Sequence, residues 1–338
     1  MSNKATADSR SKPFLGIDIG GTKCAVLLAG YDGSAVSFTD KISFNTKDYP
    51  GPDAAIRMII SESKRLIERN GLRNEDIAAA GINCGGPLDS KRGVILCPPN
   101  LTGWINIPIS AIVEEQLGIK AYLQNDANAG AIAEYMFGAG RGKENIMFLT
   151  FGTGMGAGLI LNGKLYSGTN DMAGEVGHIR LDNFGPAGFG KTGSFEGFCS
   201  GGGIAQLART MTLSKLQVGE KVSFCEDMDG LGLLTAKLIA DTAKNGDTFA
   251  MEILAVCGRY LGKALSLFID ILNPQMIILG SIYMHTKDLL WPHIKNVIDA
   301  EALPFSRAVC EITESGLGEA INDYEAVSIA VYNSLIKI

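Results

Sequence analysis

Three groups of residues in this chain combine types and spacings that do chemistry. The first is Asp18-Ile-Gly20-Gly21-Thr22-Lys23. A carboxylate ends an apolar, β-prone run, and the glycines after it offer amides that can approach a polyphosphate with no Cβ in the way. A plain hairpin turn needs no such Asp, and the pattern returns in part at Gly152-Thr153-Gly154. Both stretches are read as phosphate-facing loops. The second group is Asn125-Asp126, lying between a β-prone run and an Ala-rich helix. Asp126 stands at or beside the N-cap, where a carboxylate satisfies free amides. The helix dipole should also keep it ionised, which suits a base that orients a hydroxyl without needing a raised pKa. Capping and catalysis are compatible there. The third group, Glu175-Val-Gly-His178 with Glu196 farther on, supplies acceptors and an imidazole, the kit for reading several sugar hydroxyls. Plain solvation is the alternative for Glu196.

Two other patterns mimic known nucleotide motifs and fail on context. Gly152-x-Gly154-x-x-Ala157 matches the dinucleotide fingerprint, but that motif must open a helix. Here it runs into an apolar segment closed by Asn162-Gly163, a hairpin signal. Gly185-Pro-Ala-Gly-Phe-Gly190-Lys191-Thr192 fits the P-loop letter for letter. It has no long buried strand before it, and Gly193-Ser194 and Gly201-Gly202-Gly203 follow where a helix is required.

The elements that must position these residues alternate. Strands are expected at 14–18, 23–28 and 37–44. An amphipathic helix follows from Pro52 in its first position to the Asn70-Gly71 stop, with Ile56, Ile59, Ile60, Leu66 and Ile67 at helical spacing. Strand 78–83, helix 109–117, strand 121–124 and helix 127–135 complete an alternating βα half. The chain then begins again: strand 146–151, glycine turn, strand 158–161 repeats the opening unit, which reads as an internal duplication with a cleft between two halves. Helices are expected at 234–245, 248–272 and 324–335, with a buried strand at 276–279, and the last helix could return to the first half.

Composition sets limits on all of this. The chain has 338 residues, 46% hydrophobic and 20% charged, which excludes collagen, disorder and disulfide scaffolds and is long enough for two domains. A net charge of -6 argues against nucleic-acid or anionic-membrane partners. The seven cysteines are odd in number and never spaced C-x-x-C, so reduced cytosol is the expected compartment. The polar start, residues 1–12, has no apolar core of a signal peptide and is expected to be a disordered tail.

Taken together, Leu15-Gly-Ile-Asp-Ile-Gly-Gly-Thr-Lys23, Gly85-Gly86-Pro87-Leu-Asp89, Pro99-Asn100-Leu-Thr-Gly-Trp104, Gln124-Asn-Asp-Ala-Asn128, Phe151-Gly-Thr-Gly-Met-Gly156, Gly174-Glu-Val-Gly-His178 and Asn273-Pro-Gln-Met-Ile-Ile-Leu-Gly280 resemble the ROK family of sugar kinases. Bacterial glucokinase and N-acetylmannosamine kinase are relatives within it. The resemblance covers nearly the whole chain. It implies an α/β, duplicated actin-like (ribonuclease-H-like) ATPase fold, with residues 13–124 plus 325–338 as a small lobe and 125–324 as a large lobe. It also implies ATP-dependent phosphorylation of a hexose or N-acetylhexosamine hydroxyl, O6 being expected, with Asp126 as base. Gly86, Asn100, Asn125, Glu175, His178 and Glu196 would contact sugar. Asp18, Gly20, Gly21, Thr22, Lys23, Gly152, Thr153, Gly154 and Gly280 would surround the nucleotide, with Mg²⁺ near Asp18. A homodimer is implied as well.

Two departures stand out. The family usually carries three cysteines in the loop after Gly-His, and those positions here are Ala187, Phe189 and Ser194. His178, with Cys199 the only nearby thiol, is too small a ligand set for structural zinc. Apolar packing by Phe184, Phe189 and Phe195 is the expected substitute. Ser281 stands where a second glycine is common after Leu-Gly. The family also contains sugar-responsive repressors with an N-terminal helix-turn-helix, for which the 13 residues before Phe14 leave no room. A sugar-binding sensor without kinase activity remains the alternative reading.

Overall fold

The computed structural model describes residues 12–336. The chain divides into two compact units, one holding the residues up to Phe137 with Thr169–Asp171 and those from Ala320 onward, the other Gly138–Gly168 and Met172–Glu319. The division therefore falls one helix later than the expected 124/125 boundary. The tail expected at 1–12 lies outside the described residues except for Lys12.

In the first unit β1 (Phe14–Ile19), β2 (Lys23–Tyr31) and β3 (Val36–Asn45) form an antiparallel meander, followed by α1 (Pro52–Arg69) and β4 (Ala80–Cys84). A short hairpin of β5 (Leu88–Asp89) and β6 (Val94–Ile95) precedes α2 (Ile109–Leu117), β7 (Ala121–Gln124) and α3 (Asp126–Phe137). The sheet order is β3-β2-β1-β4-β7, with β4 parallel to both β1 and β7. Alternation along β1 sends Leu15, Ile17 and Ile19 to one face, where they pack with Ala55, Ile56, Ile59, Ile60, Leu66 and Ile67 of α1. Full burial of each such aliphatic side chain contributes roughly 2 kcal/mol.

The second unit repeats the plan. β8 (Ile146–Leu149), β9 (Ala157–Leu161) and β10 (Lys164–Leu165) form the meander. A small hairpin, β11 (Ala187–Gly188) and β12 (Lys191–Thr192), precedes α4 (Phe195–Phe198), α5 (Gly201–Gln217), α6 (Ala236–Lys244) and α7 (Thr248–Leu272). Then come β13 (Met276–Leu279), α8 (Ile282–Glu301), α9 (Pro304–Val309) and β14 (Glu311–Glu314). Its sheet order, β10-β9-β8-β13-β14, puts each strand in the place of its first-unit counterpart. The duplication read from the two glycine turns is thus carried by the topology. Finally α10 (Ile321–Val331) belongs to the first unit, where Val327, Ala330 and Val331 pack against Phe14, Leu27, Ala29 and Ala79 on the other face of the sheet. It also packs along α3, which keeps that helix in the first unit.

The letter-perfect P-loop pattern resolves as the β11–β12 hairpin. Phe189 and Gly190 turn it with φ of +45° and +73°, and no helix starts at Lys191. Four helices were not expected, the short α4 and α9 and the longer α5 and α8. The glycines at 201–203 form the first turn of α5, capped by Ser200, whose hydroxyl accepts from the Gly203 amide. α8 runs through Pro292, a residue that ordinarily argues against a helix interior. Among the described residues no helix is long and apolar enough to cross a membrane.

Candidate active site

In the first unit, parallel pairing sets Asp18 of β1 opposite Asn83 of β4, and Asn83 opposite Gln124 of β7. The strand ends thereby collect polar groups beside the glycine turn. The turn closes through the Gly20 amide, which donates to the Lys23 carbonyl at 3.1 Å, and the Thr46 hydroxyl donates to the Gly20 carbonyl at 2.6 Å. Gly21 packs on Asn100, and a Cβ there would stand 2.4 Å from the Asn100 carbonyl oxygen. Two expected contacts of different ligands, Gly21 and Asn100, are therefore neighbours. Thr22 and Lys23 are exposed at the tip, and Gly86 is half-buried just beyond β4.

Asn83 Nδ2 donates to Asp18 Oδ1 at 3.2 Å and to Glu325 Oε2 at 2.9 Å, joining a carboxylate of β1 to one of α10. Neither Asn83 nor Glu325 was singled out in the sequence. The signal for each is a polar residue inside an apolar run, and the meaning of that signal depends on the register. Burial pushes the Asp18 carboxyl up to about 6, the charges of Asp126 and Asp323 adding to the effect while Asn83 and Lys41 oppose it. Burial also holds Glu325 well above its ordinary range, with Asp126 and Asp18 adding.

Asn125, not Asp126, caps α3: its Oδ1 accepts from the Asn128 amide at 2.8 Å. That leaves Asp126 in the first turn, with Oδ1 accepting from the Ala127 amide at 2.9 Å. The Asp126 side chain reaches solvent, yet the protein around it removes enough hydration to raise its pKa above the ordinary value, outweighing the backbone N–H bonds that lower it. The expected dipole-ionised base without a raised pKa is corrected here: desolvation exceeds the helix-terminus effect. Carboxylates whose charges push up a neighbour's pKa, as that of Asp126 does at Asp18 and those of both do at Glu325, are a donor set for a hard cation, whose charge reverses the repulsion. Asp18 fits Mg²⁺ in that sense. Among the described residues no group of three His, Cys, Asp or Glu could hold a metal ion.

In the second unit the glycine turn closes between the Gly152 amide and the Gly154 carbonyl at 3.0 Å, and the Gly201 amide donates to the Gly152 carbonyl at 2.9 Å. Thr153 is exposed. Glu196, in the first turn of α4, accepts at Oε2 from the Met155 amide at 3.1 Å, so this side chain is tied to the turn and is not merely solvated. Gly177 lies against the same segment, where a Cβ would meet the Met155 carbonyl oxygen at 2.2 Å. Its neighbours Glu175 and His178 are exposed and held beside the turn. Gly280 is buried at the end of β13, and Ser281 after it adopts φ +46°, the left-handed conformation that glycine takes more easily.

The loop that follows departs from expectation. Phe184 and Phe189 are 83% and 81% exposed, and Phe189 keeps only an edge-on approach to the His178 ring at 6.3 Å; of the three only Phe195 is buried, edge-on to Phe268. Hydrogen bonds hold the loop in their place. Its donor set also fails the chemistry of zinc: Ala187 and Phe189 offer no ligand atom and Ser194 offers no thiolate.

The chain that carries this duplicated sheet is similar over most of its length to known proteins. The ROK family profile matches residues 14–321, and the chain belongs to that family. It has the actin-like ATPase fold of the family's kinases. It is 31% identical over 293 residues to a glucokinase of Halalkalibacterium halodurans, covering 86% of each chain. It is 27% identical over 286 residues to the DNA-binding transcriptional repressor Mlc of Escherichia coli, covering 83% of this chain and 68% of that one. Among solved structures, a ROK family glucokinase from Streptomyces griseus in complex with glucose and AMPPNP superposes with a TM-score of 0.72 at 27% identity, covering 94% of this chain and 99% of that one.

Proposed function

We propose that this chain is an ATP-dependent sugar kinase that phosphorylates a hexose or N-acetylhexosamine, at O6. The observation that carries the reading is Asp126, released from capping by Asn125 and pointed to solvent beside Asp18 and the first glycine turn. A carboxylate so placed can accept the hydroxyl proton as the sugar oxygen bonds to the γ-phosphorus, the bond from that phosphorus to the bridging oxygen breaks, and ADP leaves. Glu175, His178 and Glu196 are assigned to the sugar hydroxyls, with Gly86 and Asn100. Asn125 offers its amide NH₂ and the remaining lone pair of its oxygen, which already accepts from the Asn128 amide. Backbone amides of Gly21, Thr22 and Lys23, and of Thr153 and Gly154, would donate to phosphate oxygens, Gly20 and Gly152 close the two turns through their own amides, and Gly280 flanks the nucleotide. Mg²⁺ near Asp18 would neutralise phosphate charge when bound. The similarity to glucokinases supports the kinase reading.

The test is ADP release with Mg-ATP against glucose, mannose, fructose, allose, N-acetylglucosamine, N-acetylmannosamine and β-glucosides. Sugar-dependent turnover, with ³¹P NMR placing the phosphate on O6, is the expected result. Sugar binding without turnover on any member would favour the sensor reading, which the similarity to a repressor motivates.

A further inference from the structure

We infer that Ser194 and Gln206 form a metal-free clamp that holds the β11–β12 hairpin and, through it, positions Glu196 and His178. The inference about sugar positioning rests on the proposed function; the inference about the clamp itself does not. Four pieces of chain must be fixed relative to one another here: the turn ending at His178, the hairpin, the start of α4 and α5. A tetrahedral ion would join such pieces by bonds to side chains, but Ala187, Phe189 and Ser194 leave it no thiolate.

The same pieces are joined by hydrogen bonds. Ser194 is fully buried, and its hydroxyl accepts from the Gly188 amide and from the Gly197 amide, each at 3.1 Å. It thus ties the hairpin to α4 while capping the turn that carries Glu196. Gln206, on α5, closes a two-bond ring on one backbone unit: the Ala187 amide donates to its Oε1 at 3.0 Å and its Nε2 donates to the Ala187 carbonyl at 2.8 Å. The Lys191 ammonium donates to the His178 carbonyl at 2.7 Å, and the Phe195 amide to the Ile179 carbonyl at 2.8 Å, which carries the hairpin's position to the Glu175–His178 turn. A serine hydroxyl with two amide donors and a carboxamide that satisfies both backbone groups of one residue leave little to rearrange, so the clamp sets geometry as well as stability.

The experiment uses the full chain. Zinc content is measured by mass spectrometry after purification and again after incubation with zinc and desalting. Melting is followed with and without a strong chelator. Ser194→Ala and Gln206→Leu are compared with the parent for Tm, sugar Kd by calorimetry, and the sugar KM and kcat. The clamp predicts less than about 0.1 zinc per chain and no chelator effect. Each variant should melt about 3–6 °C lower. Sugar Kd and KM should rise about fivefold or more while kcat stays within about twofold. Gln206→Leu keeps the volume of a half-buried side chain, so it should fold even if Ser194→Ala does not. One zinc per chain, a chelator-induced fall in Tm, or an unchanged Tm in Gln206→Leu would overturn the clamp. A lowered Tm with unchanged sugar Kd would overturn its positioning role. A chain that binds sugar without turning over would sink the kinase reading alone, since zinc content, melting and Kd would still decide the clamp.

Discussion

The two glycine turns follow the same strand–turn–strand plan but sit in different mechanical settings. In the first unit the turn is packed from outside: Thr46 is bonded to Gly20, and the space beside Gly21 is filled by the Asn100 backbone. In the second, a Cβ added at Gly152 would meet only the Ser281 hydroxyl oxygen, at 3.8 Å, an ordinary contact. The first turn needs glycine because the fold presses on it. At Gly152 the second turn is free of that demand, so this glycine answers to whatever molecule approaches from solvent, whereas a Cβ at Gly154 would stand 2.8 Å from Glu196 Oε2. Carboxylates are divided unevenly as well. Those with raised pKa values at the site, Asp18, Asp126 and Glu325, all lie in the first unit.

If the first unit carries the chemistry, Asp126→Asn should lower kcat by about a thousandfold or more while sugar Kd stays within about tenfold. Loss of both together in a titration would make Asp126 a sugar ligand or a structural element. The parent's pH profile sharpens the same point. The base works ionised and burial raises its pKa, so kcat should climb with pH along an acid limb lying above the ordinary aspartate range near 4. A profile already flat at pH 4.5 would contradict this.

Gly21→Ala comes next in size. With the methyl driven into the Asn100 carbonyl, we expect a destabilisation of about 2 kcal/mol or more, read by urea unfolding, together with weakened ATP binding. Gly152→Ala should leave the unfolding midpoint within experimental error yet raise KM for ATP about five- to tenfold, because only an approaching phosphate would meet the methyl. Equal destabilisation by the two substitutions would erase the comparison.

The smallest effect is expected at Glu325. Its folded-state pKa lies above the ordinary 4.5, so the folded protein keeps a proton that the unfolded chain releases. The stability this gives is complete below about 4.5 and is lost as pH rises through the folded value. Glu325→Gln should therefore flatten the fall in Tm between pH 5 and pH 8 and raise Tm at pH 8 by about 2–4 °C. Scanning calorimetry at both values checks it, and a variant that melts lower than the parent at pH 8 would contradict it.

Much of this was legible because local chemistry and final structure agree. Pro52, Asn70 and the spacing of Ile56, Ile59 and Ile60 specify α1, and α2, α7, β7 and β13 carry equally plain punctuation. Where local signals conflict with tertiary structure, the reading failed. The Gly201–Gly203 run reads as loop, but Ser200 caps it into a helix, and Pro292 is accommodated within α8. The link from Asp18 through Asn83 to Glu325 spans three elements and depends on strand register, which no short window contains. The Phe residues of the 184–195 loop read as packing material because of their type, whereas Ser194 and Gln206 do the holding through backbone partners that composition does not reveal.

The placement of α10 bears on how the protein is made. The strands of the first sheet are translated early, but Phe14, Leu27, Ala29 and Ala79 acquire their cover only when Val327, Ala330 and Val331 exist. Until the ribosome has released that helix, one face of the sheet remains apolar and open, and it must wait through the synthesis of the whole second unit. The nascent first unit is thus a natural client for a chaperone, and truncation before α10 should yield aggregates instead of a half-size folded protein.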